Sequence, residues 1–315
     1  MISVAMAVYN GEKYIEKQLD SILKQTVLPD EVIICNDCSN DKTTEILNEY
    51  LKKEAENKKV HIQIFNNEKR LGYALNFKKA IELSKGDYIF LSDQDDIWNK
   101  DKIKICIDIL AVNSSILALS TGYELIDEND NIIKVAGCIK LINMFKKSYS
   151  IKQIRLSTFI KHPKYPGMAM VFKKKLWNDM IGSNIINWEY KPAHDWAINF
   201  FAALNEGMYF HKAKLVHYRQ HSENSAGILS MQKKDNIYIQ RINTVKGLIE
   251  NVNSVNENSN IDKRTINQTL LFQRKRLELI KAKKILKLSI FEIINFKFIS
   301  LQSIIGDIYA LINRR

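Results

Sequence analysis

Tyr88-Ile89-Phe90-Leu91-Ser92-Asp93-Gln94-Asp95-Asp96-Ile97-Trp98 decides the fold: a short apolar strand runs straight into three carboxylates, and a helical pattern follows. Reading backwards, Gly72–Ser84 is helical and ends at Lys85-Gly86. Val60–Phe65 is a strand, and Asn40 or Asp41 can cap a helix running to about Glu56. Glu31–Cys35 is another strand. Gly11–Gln25 is helical, with Tyr14, Ile15, Leu19, Ile22 and Leu23 on one face. Ile2–Val8 is the first strand. This alternation predicts an α/β protein with a mostly parallel, Rossmann-like sheet flanked by helices. Ligands in such sheets bind outside the carboxyl ends of the strands. Three polar clusters fall there: Tyr9-Asn10, Asn36-Asp37, and Asp93 to Asp96.

Downstream, Asp127–Asn131 reads as a hairpin turn. Pro163, Pro166 and Gly167 mark a loop before a Met168–Phe172 strand. Asn187–Pro192 is a second loop, His194–Asn205 a short helix, and residues 208–218 extended. From Met231 the pattern is helical, with a polar link at Asn251–Asn260. Ile290, Ile294, Phe298, Leu301, Ile305, Ile308 and Ile312 share one stripe at helical spacing. The expected division is an α/β domain over 1–226 and a basic, amphipathic helical region over 227–315.

A chain of 315 residues suggests about two domains at ~150 residues each, and 46% hydrophobic residues argue against a disordered chain. The net charge of +12 is uneven: −3 over residues 1–100, +6 over 101–230 and +9 over 231–315. A basic tail on a near-neutral core points to an anionic partner for the tail, not to a basic catalytic cleft. The basic residues form no recognisable nucleic-acid module, so no nucleic-acid partner is expected. Cys35, Cys38, Cys106 and Cys138 make neither a disulfide framework nor two zinc-type pairs, and are expected to be buried and reduced. The N-terminus lacks a basic leader, and no run of ~20 uncharged apolar residues exists. A cytoplasmic protein is expected, with peripheral contact at the inner face of the membrane as a further expectation.

Three carboxylates within Asp93 to Asp96 repel one another and call for a cation. Mn²⁺ or Mg²⁺ takes oxygen ligands and bridges to diphosphates. The alternative is a solvated acidic turn capping the next helix. Tyr9 and Asp37 could take a base by stacking and by accepting its imide N–H; the alternatives are a packed tyrosine and a helix-capping carboxylate.

These residues, in order, resemble the family 2 glycosyltransferases of the GT-A fold. The match runs through Val4 to Gly11, Ile33-Ile34-Cys35-Asn36-Asp37-Cys38-Ser39, Arg70-Leu71-Gly72 with Asn76, Gly86-Asp87-Tyr88-Ile89, and Asp93-Gln94-Asp95-Asp96-Ile97-Trp98. It continues at Gly167-Met168-Ala169-Met170, His194-Asp195-Trp196, and Tyr218-Arg219-Gln220-His221 with Asn224, covering about residues 1–226. The resemblance implies that Asp37 and the Tyr9-Asn10 region hold the nucleotide base and that Asp93 contacts the ribose. Asp95 would bind the metal, and Arg70 and Asn76 would lie near the nucleotide. Asp195 would be the catalytic base, taking the proton of an acceptor hydroxyl as it attacks the anomeric carbon with inversion. His221 would be an extra metal or diphosphate contact, with Arg219 beside it. His194 departs from the acidic residue often found before this base, which leaves its role open. Trp188 and Trp196 are candidates for an acceptor platform, or for core.

The wording is most similar to the rhamnosyltransferase-like branch that builds capsule, O-antigen or cell-wall polysaccharide. The implied donor is a nucleotide diphosphate sugar, dTDP-L-rhamnose foremost and UDP-glucose or UDP-galactose next. The implied acceptor is a glycan or lipid-linked glycan. The basic helical tail suggests docking on an anionic leaflet, or else packing on the catalytic domain or another subunit. A nucleotidyltransferase would carry a glycine-rich basic loop where Tyr9-Asn10-Gly11-Glu12-Lys13 stands. A binding protein that had lost catalysis would not need Asp93, Asp95 and Asp195 together.

Overall fold

The computed structural model describes residues 1–55, 59–133, 151–161, 163–190, 192–221, 237–255, 263–295, 299 and 301–312. Strand β1 (Ile2–Val8) lies between β2 (Glu31–Asn36) and β4 (Tyr88–Ser92), parallel to both, and β3 (His61–Asn66) continues the row beyond β2. Successive side chains of a strand point to opposite faces, so each face gets its own core. Val4, Met6, Val8, Val32, Ile34 and Phe90 pack under helices α1 (Ile15–Leu23), α2 (Thr43–Ala55) and α4 (Lys102–Val112). Ala5, Cys35, Ile89 and Leu91 face α3 (Tyr73–Leu83) and two later helices. Near-continuous apolar strands are what a sheet covered on both faces requires.

The chain then builds β5 (Ile97–Trp98), β6 (Ala118–Ile126), β7 (Ile151–Gln153), helix α5 (Leu156–Lys161), β8 (Met170–Lys173), α6 (Lys174–Ser183), α7 (His194–Leu204) and β9 (Met208–Arg219). The sheet has nine strands in the order β3-β2-β1-β4-β8-β6-β9-β5, with β7 paired to β9. The expectation of a mostly parallel sheet holds for the first four. It needs correction beyond β4, because β8 runs antiparallel to both β4 and β6. The expected Met168–Phe172 strand begins at Met170, because Gly167–Ala169 is a single 3-10 turn. The Asp127 turn forms as expected: the Asp127 N–H donates to the Asn131 carbonyl at 2.9 Å, and Asp127 Oδ1 accepts from the Asn129 N–H at 2.8 Å.

After residue 236 come α8 (Ile237–Asn253), α9 (Lys263–Lys281), α10 (Ile285–Ile294) and α11 (Leu301–Ile312). The apolar stripe expected across 290–312 is therefore divided between two helices, and its member Phe298 lies outside the described residues. Val245, Leu279, Ile280, Leu288 and Leu311 make a small core of their own. The end of α8 packs on the sheet-bearing part: the Asn187 N–H donates to the Ser254 carbonyl at 2.7 Å, and Val255 joins the core cluster of Trp177 and Trp196. No helix among the described residues is long and apolar enough to cross a membrane. Cys35 and Cys106 are buried thiols, and burial pushes them up to about 11 and about 12. Cys38 corrects the expectation of buried cysteines: it is exposed. Cys138, Asn224 and the proposed 226/227 boundary lie outside the described residues.

Candidate active site

The carboxyl ends of β1, β2 and β4 converge, and side-chain hydrogen bonds tie them together. Gln94 is the first tie. Its Oε1 accepts the Tyr9 N–H at 2.6 Å and its Nε2 donates to the Tyr9 carbonyl at 2.8 Å. Asn10 sits in the left-handed region, φ 52°, which asparagine tolerates better than most residues. Its Oδ1 accepts the Asn40 N–H at 3.0 Å and fixes the loop after β2. The Arg70 guanidinium lies 3.8 Å from the centre of the Tyr9 ring, a cation–π contact.

Asp37 is 2% exposed, and its carboxylate accepts three hydrogen bonds. Donors are the Leu71 N–H at 2.7 Å, the Gly72 N–H at 2.8 Å and Asn67 Nδ2 at 2.8 Å. The carboxylate thus clamps the loop that carries Arg70. Asn76, expected near the nucleotide, stands one layer back. It is 1% exposed, donates to the Cys35 carbonyl at 2.7 Å and accepts from Asn67 Nδ2 at 2.8 Å. It holds Asn67, which holds Asp37.

The acidic cluster is split by depth. Asp93 is half-buried, and burial together with the charges of Asp95 and Asp195 pushes its carboxyl up to about 7. Asp95 Oδ2 lies 2.8 Å from His221 Nε2. Asp96 is fully buried, accepts the Arg219 N–H at 3.0 Å, and is pushed well above the usual carboxylate range by burial, Asp95 and Asp93. Beneath the cluster lies Lys102, which sequence reasoning missed. It is fully buried, donates to the Met168 carbonyl at 2.7 Å and sits 3.5 Å over the Trp98 ring. Burial pulls its ammonium down to about 7 against the opposing charges of Asp96 and Asp93. The available signal was a lysine at the helical spacing of Cys106, Ile109 and Leu110 on an apolar face.

Arg219 corrects the expected role as a nucleotide contact. It is fully buried. Its Nε donates to the Asp95 carbonyl at 2.7 Å, its Nη1 reaches the Asp127 carbonyl at 3.0 Å and Asp130 Oδ1 at 2.5 Å, and its guanidinium lies 4.5 Å from the centre of the Tyr14 ring. A five-donor planar cation suits such a strut between the acidic loop and the 127–130 turn.

Asp195 opens α7, where the helix dipole favours a carboxylate. Its Oδ2 accepts the Gly167 N–H at 3.1 Å, and its Oδ1 accepts the Trp196 N–H at 2.7 Å. Its Oδ2 holds the start of the Gly167–Ala169 turn, and the Met168 carbonyl of that turn takes Lys102 beneath the acidic cluster, so one turn touches both. Gly167 has no room for a side chain, since a Cβ there would lie 2.7 Å from His194 Nε2. His194 is 5% exposed, stacked 3.9 Å from Phe77, and has no hydrogen-bond partner on either ring nitrogen among the described residues. Burial pulls it down to about 4. Trp196 is core, not an acceptor platform: 7% exposed, it stacks on Phe200 with centroids 4.9 Å apart. Trp188 is half-buried, 5.6 Å from Trp177.

Among the described residues, no group of three or more His, Cys, Asp or Glu side chains is arranged to hold a metal. Asp95 and His221 form a pair. That pair fits Mn²⁺ or Mg²⁺ when diphosphate oxygens and water complete the shell, as is usual for Mg²⁺.

The mixed sheet thus carries Tyr9, Asp37 and the acidic loop at the carboxyl ends of β1, β2 and β4, the place where α/β enzymes bind their ligands. The comparisons agree. The profile described as Glycosyl transferase family 2 matches residues 3–179, and the chain belongs to that family. It is 32% identical over 230 residues to the dTDP-rhamnosyl transferase RfbG of Shigella flexneri, covering 70% of this chain and 73% of that protein. The structure resembles S. aureus TarS 1–349 in complex with UDP-GlcNAc, with a TM-score of 0.59, 18% identity, and 98% of this chain and 81% of that chain covered. It also resembles the mannosyltransferase PcManGT of Pyrobaculum calidifontis in complex with GDP-Man and Mn²⁺, with a TM-score of 0.58, 15% identity, and 98% and 73% covered. The fold is GT-A, and the protein is a glycosyltransferase.

Proposed function

We propose that this glycosyltransferase moves L-rhamnose from dTDP-rhamnose to a hydroxyl of a growing bacterial surface glycan, with inversion and with a divalent metal. The similarity to a dTDP-rhamnosyl transferase over most of the chain supports the donor. The observation that carries the chemistry is the placement of Asp195. It is held by the Gly167 and Trp196 N–H groups, and the Gly167–Ala169 turn ties it to Lys102 beneath the acidic loop.

In this reading the base of the nucleotide enters beside Tyr9 and Asn10, displacing or sharing the face that Arg70 covers. Asp37 acts through the loop it clamps. Asp93 receives the ribose. Asp95 and His221 would hold the metal, which supplies positive charge to the departing diphosphate. Asp195 takes the proton from the acceptor oxygen as that oxygen bonds to the anomeric carbon and the carbon–phosphate-oxygen bond breaks. Attack from the face opposite the diphosphate inverts the configuration. Trp188 remains the aromatic candidate on the acceptor side, with Trp177 packed against it.

The second reading is a UDP-hexose donor, favoured by the structural likeness to a protein holding UDP-GlcNAc. Thermal shift with UDP, dTDP, GDP and CDP, each with Mn²⁺ and with EDTA, separates the two. Stabilisation by dTDP with Mn²⁺ supports rhamnose. Stabilisation by UDP alone moves the donor to a UDP-sugar. No stabilisation by any nucleotide counts against a preformed donor site.

A further inference from the structure

We infer that the outer faces of α10 and α11 dock the protein on an anionic lipid bilayer. The inference stands apart from the transferase reading, because bilayer binding is read without donor or acceptor. A helix on a globular protein ordinarily buries its apolar stripe and exposes its charges. Here each helix buries an apolar face, with Leu288 on α10 and Leu311 on α11, but buries a carboxylate as well and leaves a second apolar stripe exposed. On α10, Glu292 is fully buried, while Leu286, Ile290, Ile293 and Ile294 are 75%, 51%, 65% and 75% exposed. Those four fall at i, i+4, i+7 and i+8, one stripe opposite Leu288 and Glu292. On α11, Asp307 is fully buried, while Ile305, Tyr309 and Ile312, at i, i+4 and i+7, are each more than half exposed.

The buried carboxylates explain which way the helices face. Arg276 of α9 donates from Nε to Asp307 Oδ2 at 2.6 Å, from Nη2 to Asp307 Oδ1 at 3.0 Å, and from Nε to Glu292 Oε1 at 3.2 Å. Turning the aliphatic stripes inward would pull both carboxylates off this buried cation, which is strongly unfavourable. The ion-paired core therefore pins the aliphatic faces outward.

Charge chooses the occupant. Lys281, Lys283, Lys284 and Lys287 are exposed at the start of α10, with no acidic residue between them. Seven large apolar side chains beside a run of lysines suit the acyl boundary and the phosphates of an anionic leaflet. Lysine stems can lie along apolar surface while their ammonium groups reach the headgroups. A second copy of this face would bring like charges together. Neither helix is long enough to span, so both would lie in the interface plane.

The test is co-sedimentation of the full chain with phosphatidylcholine vesicles, with and without phosphatidylglycerol. Partition onto the anionic vesicles, weakened by salt, is expected. Ile290→Ser with Ile293→Ser should lower partition more than tenfold at every salt concentration. Lys284→Glu with Lys287→Glu should lower it roughly tenfold or more at low salt. Because all four side chains are exposed, melting temperature should hold, which separates lost docking from lost folding. No partition at low salt overturns the proposal. So does concentration-dependent self-association that Ile290→Ser and Ile293→Ser abolish, which would give the face to a second copy.

Discussion

His221 Nε2 lies 2.8 Å from Asp95 Oδ2, although 126 residues separate them in the chain. The pairing depends on Arg219, two residues earlier, whose N–H is taken by Asp96 and whose Nε is taken by the Asp95 carbonyl. The end of β9 is thus sewn to the acidic loop after β4, and an imidazole is delivered to a carboxylate where a diphosphate would arrive.

Asp95→Ala should therefore remove the Mn²⁺ increment in nucleotide-induced thermal stabilisation, and His221→Ala should reduce it. Both proteins should melt near the parent temperature without ligand. A full Mn²⁺ increment in Asp95→Ala would place the metal on other ligands.

Asp195→Asn keeps an oxygen for the Gly167 N–H but cannot take a proton. Turnover should fall by about 10²–10⁴, the range for a lost general base, with nucleotide affinity unchanged. Steady-state kinetics beside nucleotide titration reads both. Unchanged turnover would reject Asp195 as the base. Gly167→Ala should also slow turnover, by pressing on His194 and tilting the Asp195 helix start.

Asp37→Ala strips the acceptor from the Leu71 and Gly72 N–H groups. A fully buried donor left unpaired costs about 1–3 kcal/mol; both donors here are half-buried, so the lower part of that range for each, a loss of about 2–4 kcal/mol together, is expected in denaturant unfolding. Asn76→Ala should weaken nucleotide binding less than Asp37→Ala, because its bonds go to Asn67 and the Cys35 carbonyl, one step behind Asp37. If Asp37 touches the base directly, Asp37→Asn will lose nucleotide affinity with little loss of stability. If it acts through the loop, stability and affinity will fall together.

The sequence showed the β-α-β-α alternation and the three strand-end clusters, because apolar periodicity and polar residues at strand ends are local signals. Asp93 and Asp95 stood out as members of one of those clusters, whereas Asp195 was singled out only by the family resemblance. What stayed hidden depends on contacts between distant segments. Nothing local says that β8 enters antiparallel between β4 and β6. Nothing local says that Arg219 faces inward as a strut, that Asn76 supports Asn67, or that Lys102 is buried under the acidic loop. The stripe from Ile290 to Ile312 was read as apolar and helical, and its described members lie on two helices, α10 and α11. Its outward orientation is set by Arg276, Glu292 and Asp307, and helical spacing alone does not reveal which stripe a buried ion pair will claim.

His194 gives a pH signature. Burial lowers its folded pKa to about 4 from an ordinary 6.5, so below 6.5 the unfolded chain binds a proton that the native protein refuses. The stability contribution is full above pH 6.5 and is lost as pH falls to about 4. By linkage the loss is about 3 kcal/mol, a shift of about 2.5 units at 1.36 kcal/mol each. Urea unfolding between pH 7 and 4 should show this slope on top of the carboxylate contributions. His194→Leu, which fills a similar space beside Phe77 without titrating, should flatten the acid limb. An equal slope in both proteins would mean that His194 takes up its proton in the native state, and that its unpaired nitrogens find a partner as the pH falls.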